Sequence, residues 1–184
     1  MNAPASLRGR LLVAAPGMLD PNFVQTVLLM VEHTSDGALA VVLNRPSATL
    51  IAPVLERWGD VVSDPAVFFS GGPVAPEGMI ALARGPADDA EGWLPLFAGL
   101  GSVDLALTPT DVPPLDDLRV FAGHAGWAPG QLEAELGDDG WLVVDASPDD
   151  VFSAEPDGLW RAVLARQRGR LAWYANAPAD PRSN

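Results

Sequence analysis

Cysteine and lysine are both absent from the 184 residues. Without cysteine the chain has no disulfide, no thiolate nucleophile and no cysteine-ligated metal. Its basic side chains are 11 arginines set against 24 aspartates and glutamates, a formal net charge of −13. So little positive charge argues against general nucleic-acid binding, which draws its affinity from Lys and Arg neutralising phosphates. It argues equally against adhesion to an anionic membrane surface. No apolar run approaches the roughly 18 residues of a membrane span. Arg8 and Arg10 ahead of residues 11–15 imitate a signal peptide, but Pro16 and Gly17 cut the apolar stretch short of the about 7–15 residues such a segment needs. The expectation is a soluble, cytoplasmic protein. Histidine is scarce too, with two in the chain, His33 and His124. No HExxH motif and no three-histidine set can be assembled, so neither a metal nor a cofactor is expected.

What is present is globular in character, with 48% hydrophobic and 19% charged residues. A chain of this size buries roughly 70% of its unfolded surface, enough for one self-supporting core. The expected organisation is one domain over 9–177, an N-terminal extension over 1–8 and a mobile tail over 178–184. Residues 27–31 and 38–43 are continuous apolar runs joined by a short Asp-Gly turn, which predicts a hairpin covered on both faces. Further strands are expected over 11–15, 67–70, 78–83, 103–107, 118–122 and 141–145. Asp20 before Pro21 predicts one capped turn over 22–25. Helices are expected over 49–58 with Ser47 as cap, from Pro129 to Leu136, and over 155–167. Residues 85–95 read as an acidic loop. Without strict βα alternation, the pattern favours an α+β fold: a large mixed or mostly antiparallel sheet, possibly barrel-like, with about three flanking helices.

Few residues carry chemistry. Arg45 closes the second hairpin strand beside Asn44, where its fork suits a carboxylate or phosphate or, equally, an internal aspartate or a row of carbonyls. The segment 123–130 follows a strand and opens a helix, the setting of anion-binding loops. Its glycines, Gly123, Gly126 and Gly130, match neither GxGxxG nor GxxxxGK[ST], and tight packing around Trp127 explains them as well. Gly71 and Gly72 ahead of Pro73 read as a strand-to-strand turn. His33 and His124 at strand ends suit either a general base or a hydrogen-bonded structural role. The acidic doublets fall in turns and read as solvated loop charge.

Several of these segments resemble one family. GRLLVAAPGMLDPNF at 9–23, VEH at 31–33, GALAVVLNRP at 37–46, GGPV at 71–74, FAGHAGWAPGQLEAEL at 121–136 and WLVV at 141–144 resemble the YqgE/AlgH family of bacterial proteins, in order from about residue 9 to 165. The resemblance implies a compact α+β domain built on a large sheet in a bacterial cytosolic protein. It carries over no catalytic residue. Members are often labelled transcriptional regulators after a link to alginate production. His33 stands where the family pattern has its histidine, whereas His124 replaces what is most often a tyrosine or another non-histidine residue.

The first expectation is therefore a non-catalytic regulatory or adaptor domain that binds a protein or a small anionic ligand, as a monomer or small homo-oligomer. Its expected ligand-binding residues are Asn44, Arg45, Gly123, His124, Gly126, Trp127, Gly130 and Gln131. The alternative is an enzyme whose site joins Asn44, Arg45 and His33 to the 123–131 segment, which requires those segments to converge. Direct DNA-binding regulation ranks last, because no helix-turn-helix with basic recognition residues is legible. The charge is also uneven. Nine acids lie between Glu133 and Asp157 without a base, and Arg161, Arg166, Arg168 and Arg170 then follow without an acid. Asp157 and Arg161 are spaced to pair along a helix. Arg166, Arg168 and Arg170 form a possible partner patch.

Overall fold

The computed structural model of the chain describes residues 5–178. The first half of the expected extension and nearly all of the expected tail lie outside the described residues.

The two apolar runs form the expected hairpin, Val27–Thr34 (β2) and Gly37–Val42 (β3), with Leu28 opposite Val42 and Leu29 opposite Val41. Successive strand side chains point to opposite faces, so Leu29 and Val41 enter one core while Leu28, Met30 and Val42 enter another. Arg10–Ala14 (β1) pairs with β2 and with Trp141–Asp145 (β10). Beyond β3 the sheet continues through Asp117–Trp127 (β9), Val74–Arg84 (β6), Leu100–Val103 (β8) and Trp93–Phe97 (β7). All these neighbours are antiparallel. Val67–Ser70 (β5) joins β9 in parallel and carries Pro46–Leu50 (β4) on its outer edge. The result is a curled, mostly antiparallel ten-stranded sheet, a half-barrel.

Short helices cover it. Leu159–Ala165 (α3) buries Leu159, Trp160, Val163 and Leu164 against one face, and the Trp160 indole donates to the Ala14 carbonyl at 2.8 Å. Gln131–Gly137 (α1) sets Leu132 against the other, beside Trp127 and Trp141. Pro148–Val151 (α2) is held by a capping box between Ser147 and Asp150. Arg170–Tyr174 (α4) packs on α3.

The sequence expectations depart from the structure where one local signal was outvoted. The helix expected over 49–58 is instead the end of β4, a turn and a single 3-10 turn at Glu56–Trp58. Pro53 falls inside the expected helix, where it lacks an N–H and clashes with the preceding turn. Of the apolar face expected for that helix, Leu50, Val54, Leu55 and Trp58, the first two are 58% and 53% exposed while Trp58 is buried. The strand expected over 103–107 ends at Val103, because Asp104 turns the chain with its carboxylate accepting the Ala106 N–H at 2.9 Å. The acidic loop stops short of Pro95, which lies in β7 at the sheet edge, where a missing N–H is tolerated. The strand expected to end at 122 runs on to Trp127, so Gly123, His124 and Gly126 are strand residues and only 128–130 form the turn into α1. Asp157 and Arg161 form no ion pair; Arg161 donates to the carbonyls of Ala175 and Ala177.

Candidate ligand-binding site

At the centre of the sheet β3 and β9 pair only from Ala38–Ala40 against Ala125–Trp127 and then diverge. The end of β5 fills the gap. Gly71 donates to the Ala122 carbonyl and accepts from the Val42 N–H, both at 2.8 Å, and Ser70 N–H donates to the Arg45 carbonyl at 2.8 Å. The chains cross so closely that a Cβ on Gly72 would stand 2.2 Å from the His124 carbonyl carbon, and one on Gly71 2.3 Å from the Gly123 oxygen. Glycine is what lets β5 enter here. This crossing brings Arg45, Ser70, Gly72 and Pro73 face to face with the turn at Pro21 and Asn22, where Asp20 Oδ1 accepts the Asn22 N–H at 2.9 Å.

Between them lies a cavity of about 210 Å³ lined by Pro21, Asn22, Val42, Arg45, Ser70, Gly72 and Pro73. Arg45 supplies its charge. One guanidinium nitrogen, Nη2, donates to the Val24 carbonyl at 2.5 Å, and the remaining donors have no acceptor among the described residues. No carboxylate comes within ion-pair distance of it among those residues. Burial lowers its pKa, with the field of Asp157 opposing, and a guanidinium remains a cation regardless. Neither the Asn22 amide nor the Ser70 hydroxyl has a hydrogen-bond partner in the described chain. Several other arginines are more fully engaged. Arg84 reaches Asp117 and Asp149, Arg10 reaches Asp145, and buried Arg119 donates to the carbonyls of Val151, Ser153 and Asp64.

Asn44, one residue away, is a structural clamp. Its Oδ1 accepts the Val27 N–H and its Nδ2 donates to the Gln25 carbonyl, each at 2.9 Å, and the side chain is 2% exposed. It closes β3 onto the start of β2 and has little left to offer a ligand.

The rest of the expected site lies at the other end of β3. From Ala38 to Asn44 the strand covers about 20 Å. There His33 Nδ1 accepts the Leu7 N–H at 3.0 Å, which assigns the ring proton to Nε2, and Nε2 donates to Glu133 at 2.9 Å. Both nitrogens are engaged. Glu133 is held below the usual carboxylate range, first by its own backbone N–H and then by His33. Next to this pair, Glu135 Oε2 accepts the indole N–H groups of Trp127 and Trp141 at 2.9 and 3.0 Å. Gln131 donates to Glu135 Oε1 at 3.0 Å and accepts the Ala128 N–H at 3.0 Å. Burial raises the Glu135 pKa, but the three donors outweigh it and the net shift is downward. Trp127, Gln131 and Gly130, the last with φ of 75° at the start of α1, fasten that helix to the sheet.

His33 thus lies near the 128–133 segment, while Arg45 does not, and the enzyme constellation expected from Asn44, Arg45, His33 and 123–131 does not assemble. Gly123 and His124 stand behind the Gly71–Gly72 crossing, and Gly126 is an exposed strand residue. The arginine patch is also reduced. Arg166 makes a bidentate pair with Asp150, at 2.5 and 2.7 Å, and Arg170 donates to the Tyr174 hydroxyl at 3.3 Å. Asn22, Ser70 and Pro73, which line the same cavity as Arg45, were not among the expected residues. They stood inside the DPNF and GGPV segments, where turn chemistry hid any other role. Among the described residues no cluster of three metal-ligating side chains occurs, and no helix is long and apolar enough to cross a membrane.

A half-barrel sheet closed by short helices, with the Arg45 guanidinium at a cavity along its central seam, defines a small α+β domain. The AlgH-like family model matches residues 11–172, and the chain belongs to that family. It is 45% identical to a UPF0301 protein of Streptomyces coelicolor, covering 100% of this chain and 98% of the relative. It is 48% identical to a UPF0301 protein of Thermobifida fusca over 97% and 96% of the two chains. A crystal structure of a Corynebacterium diphtheriae protein superposes with a TM-score of 0.88 at 31% identity, covering 96% of this chain and 95% of that one. The solution structure of the AlgH protein of Pseudomonas aeruginosa gives 0.69 at 32% identity, over 97% of each chain.

Proposed function

We propose that this chain is a non-catalytic regulatory or adaptor domain of the bacterial cytosol, which binds a small anionic ligand at Arg45 and acts through partners without touching DNA. The observation that carries this reading is the half-buried Arg45 guanidinium, which faces the 210 Å³ cavity with donors free and no carboxylate paired to it. A fork of this kind takes a carboxylate or phosphate through two parallel hydrogen bonds. Asn22 and Ser70 add two side chains with open hydrogen-bonding capacity at the same cavity. Binding is favoured over catalysis because, among the described residues, the cavity lining includes no histidine or carboxylate and the Ser70 hydroxyl hydrogen-bonds to no base. The segments that carry the family resemblance, DPNF, NRP and GGPV, each contribute to this lining.

The test is thermal denaturation with a panel of small carboxylates and phosphates, on the wild type and on Arg45→Met, which keeps an apolar stem. A cognate anion at about 100 times its Kd should raise the wild-type Tm by roughly 5–10 °C and leave the variant unmoved. If nothing in the panel stabilises the wild type, or if both proteins respond alike, the reading is wrong.

A further inference from the structure

We infer that the ligand is an amphiphilic acid, with its anionic head on Arg45 and its apolar body laid across Ser70 into the groove between β4 and β6. This rests on the anion site proposed above and adds the other half of the molecule. Ser70 lines the Arg45 cavity and also a second depression of about 360 Å³, walled by Phe68, Val54, Pro76 and Met79. Arg45, just ahead of β4, and Ser47, within it, line the two depressions in turn. The Arg45 cavity is the smaller of the two depressions. Together they fall within the roughly 300–1,000 Å³ of small-molecule sites, which are mostly apolar with a few polar groups fixing orientation.

The groove is built for an apolar occupant. Of the seven large hydrophobic side chains exposed among the described residues, two line it, Val54 at 53% and Met79 at 44%, and two more, Leu50 at 58% and Val74 at 44%, lie on the flanking strands β4 and β6. Such an apolar cluster facing water marks a binding surface. The charges set the direction. The only ionisable residue lining the groove is Glu77, which repels an anionic head, whereas the adjoining cavity offers the Arg45 cation. A neutral oil would leave Arg45 without an acceptor, and a small inorganic anion would leave the groove wet. An acid with a medium-length apolar chain satisfies both.

Straight-chain carboxylates provide the test, with butyrate, hexanoate and decanoate titrated into isotopically labelled full-length protein below their micellar concentrations. Decanol serves as the uncharged control. Affinity should rise roughly threefold to fourfold for each added CH₂ that the groove buries. Backbone resonances of Ser70 and Gly72 should shift with every acid, and those of Val54 and Met79 only with the longer ones. Met79→Glu, at an exposed position, should weaken decanoate by about tenfold or more and leave butyrate unchanged. Arg45→Met should weaken all three acids. If butyrate and decanoate bind equally, the amphiphile inference falls and the anion site stands. If decanoate and decanol bind alike, or Arg45→Met binds the acids as tightly as the wild type, the inference falls and so does the role of Arg45. If no carboxylate binds the wild type, the inference is overturned, and the phosphate arm of the thermal panel then decides the anion site separately.

Discussion

The two ends of β3 make opposite use of polar side chains. At its start, His33, Glu133, Glu135, Trp127 and Gln131 form a closed set, and the Glu135 carboxylate accepts from three donors. At its finish, Asn44 is equally engaged, but its neighbour Arg45 holds a single carbonyl and points its remaining donors at a cavity. Buried polar groups that satisfy one another stabilise the fold. A half-buried cation with no carboxylate at ion-pair distance among the described residues is what makes Arg45 the candidate anion contact. The conspicuous end, with two tryptophans and a histidine, has its polar groups engaged with one another, and the plain end is the candidate site.

The largest expected effect breaks the closed end. Glu135→Ala strands two indole N–H groups and should lower unfolding stability by about 3–4 kcal/mol, read as a lower urea midpoint. Asn44→Ala comes next. It leaves the Val27 N–H and the Gln25 carbonyl unpaired and should cost about 2–3 kcal/mol. Acid sharpens the comparison. Because the folded-state pKa of Glu135 lies below its unfolded value, its stabilisation is complete above the ordinary carboxylate range and disappears as pH falls through that range. Glu135→Gln should therefore flatten the loss of stability between about pH 5 and 3, measured by denaturation at a series of pH values. The smallest effect belongs to the open end. Arg45→Met should change stability by less than about 1 kcal/mol, since one hydrogen bond is lost and burial of a charge is relieved. If Arg45→Met were as damaging as Asn44→Ala, the two ends of the strand would not differ as described.

Legibility from sequence followed the reach of each signal. The β2–β3 hairpin, β10 and the buried face of α3 rest on short-range periodicity, and all formed as expected. Residues 49–58 show the limit. Leu50, Val54, Leu55 and Trp58 have helical spacing, yet Pro53 interrupts it and pairing of β4 with β5 takes over. The glycines at 123 and 126 suggested a loop, while the structure uses the first for the crossing with Gly72, a contact between residues 51 positions apart that no local rule encodes. Arg45 stands out in the sequence as a residue of interest, but its two roles, clamp or ligand contact, are indistinguishable until its neighbours are placed.

From the chain alone came the exclusions set by the absence of cysteine and lysine and by the −13 charge, together with the α+β pattern and the family resemblance. These depend on composition and on residues a few positions apart. Tertiary structure alone decided which polar groups are engaged and which remain open, because hydrogen bonding and desolvation depend on partners brought from Asn22, Arg45, Ser70 and Pro73 to one seam.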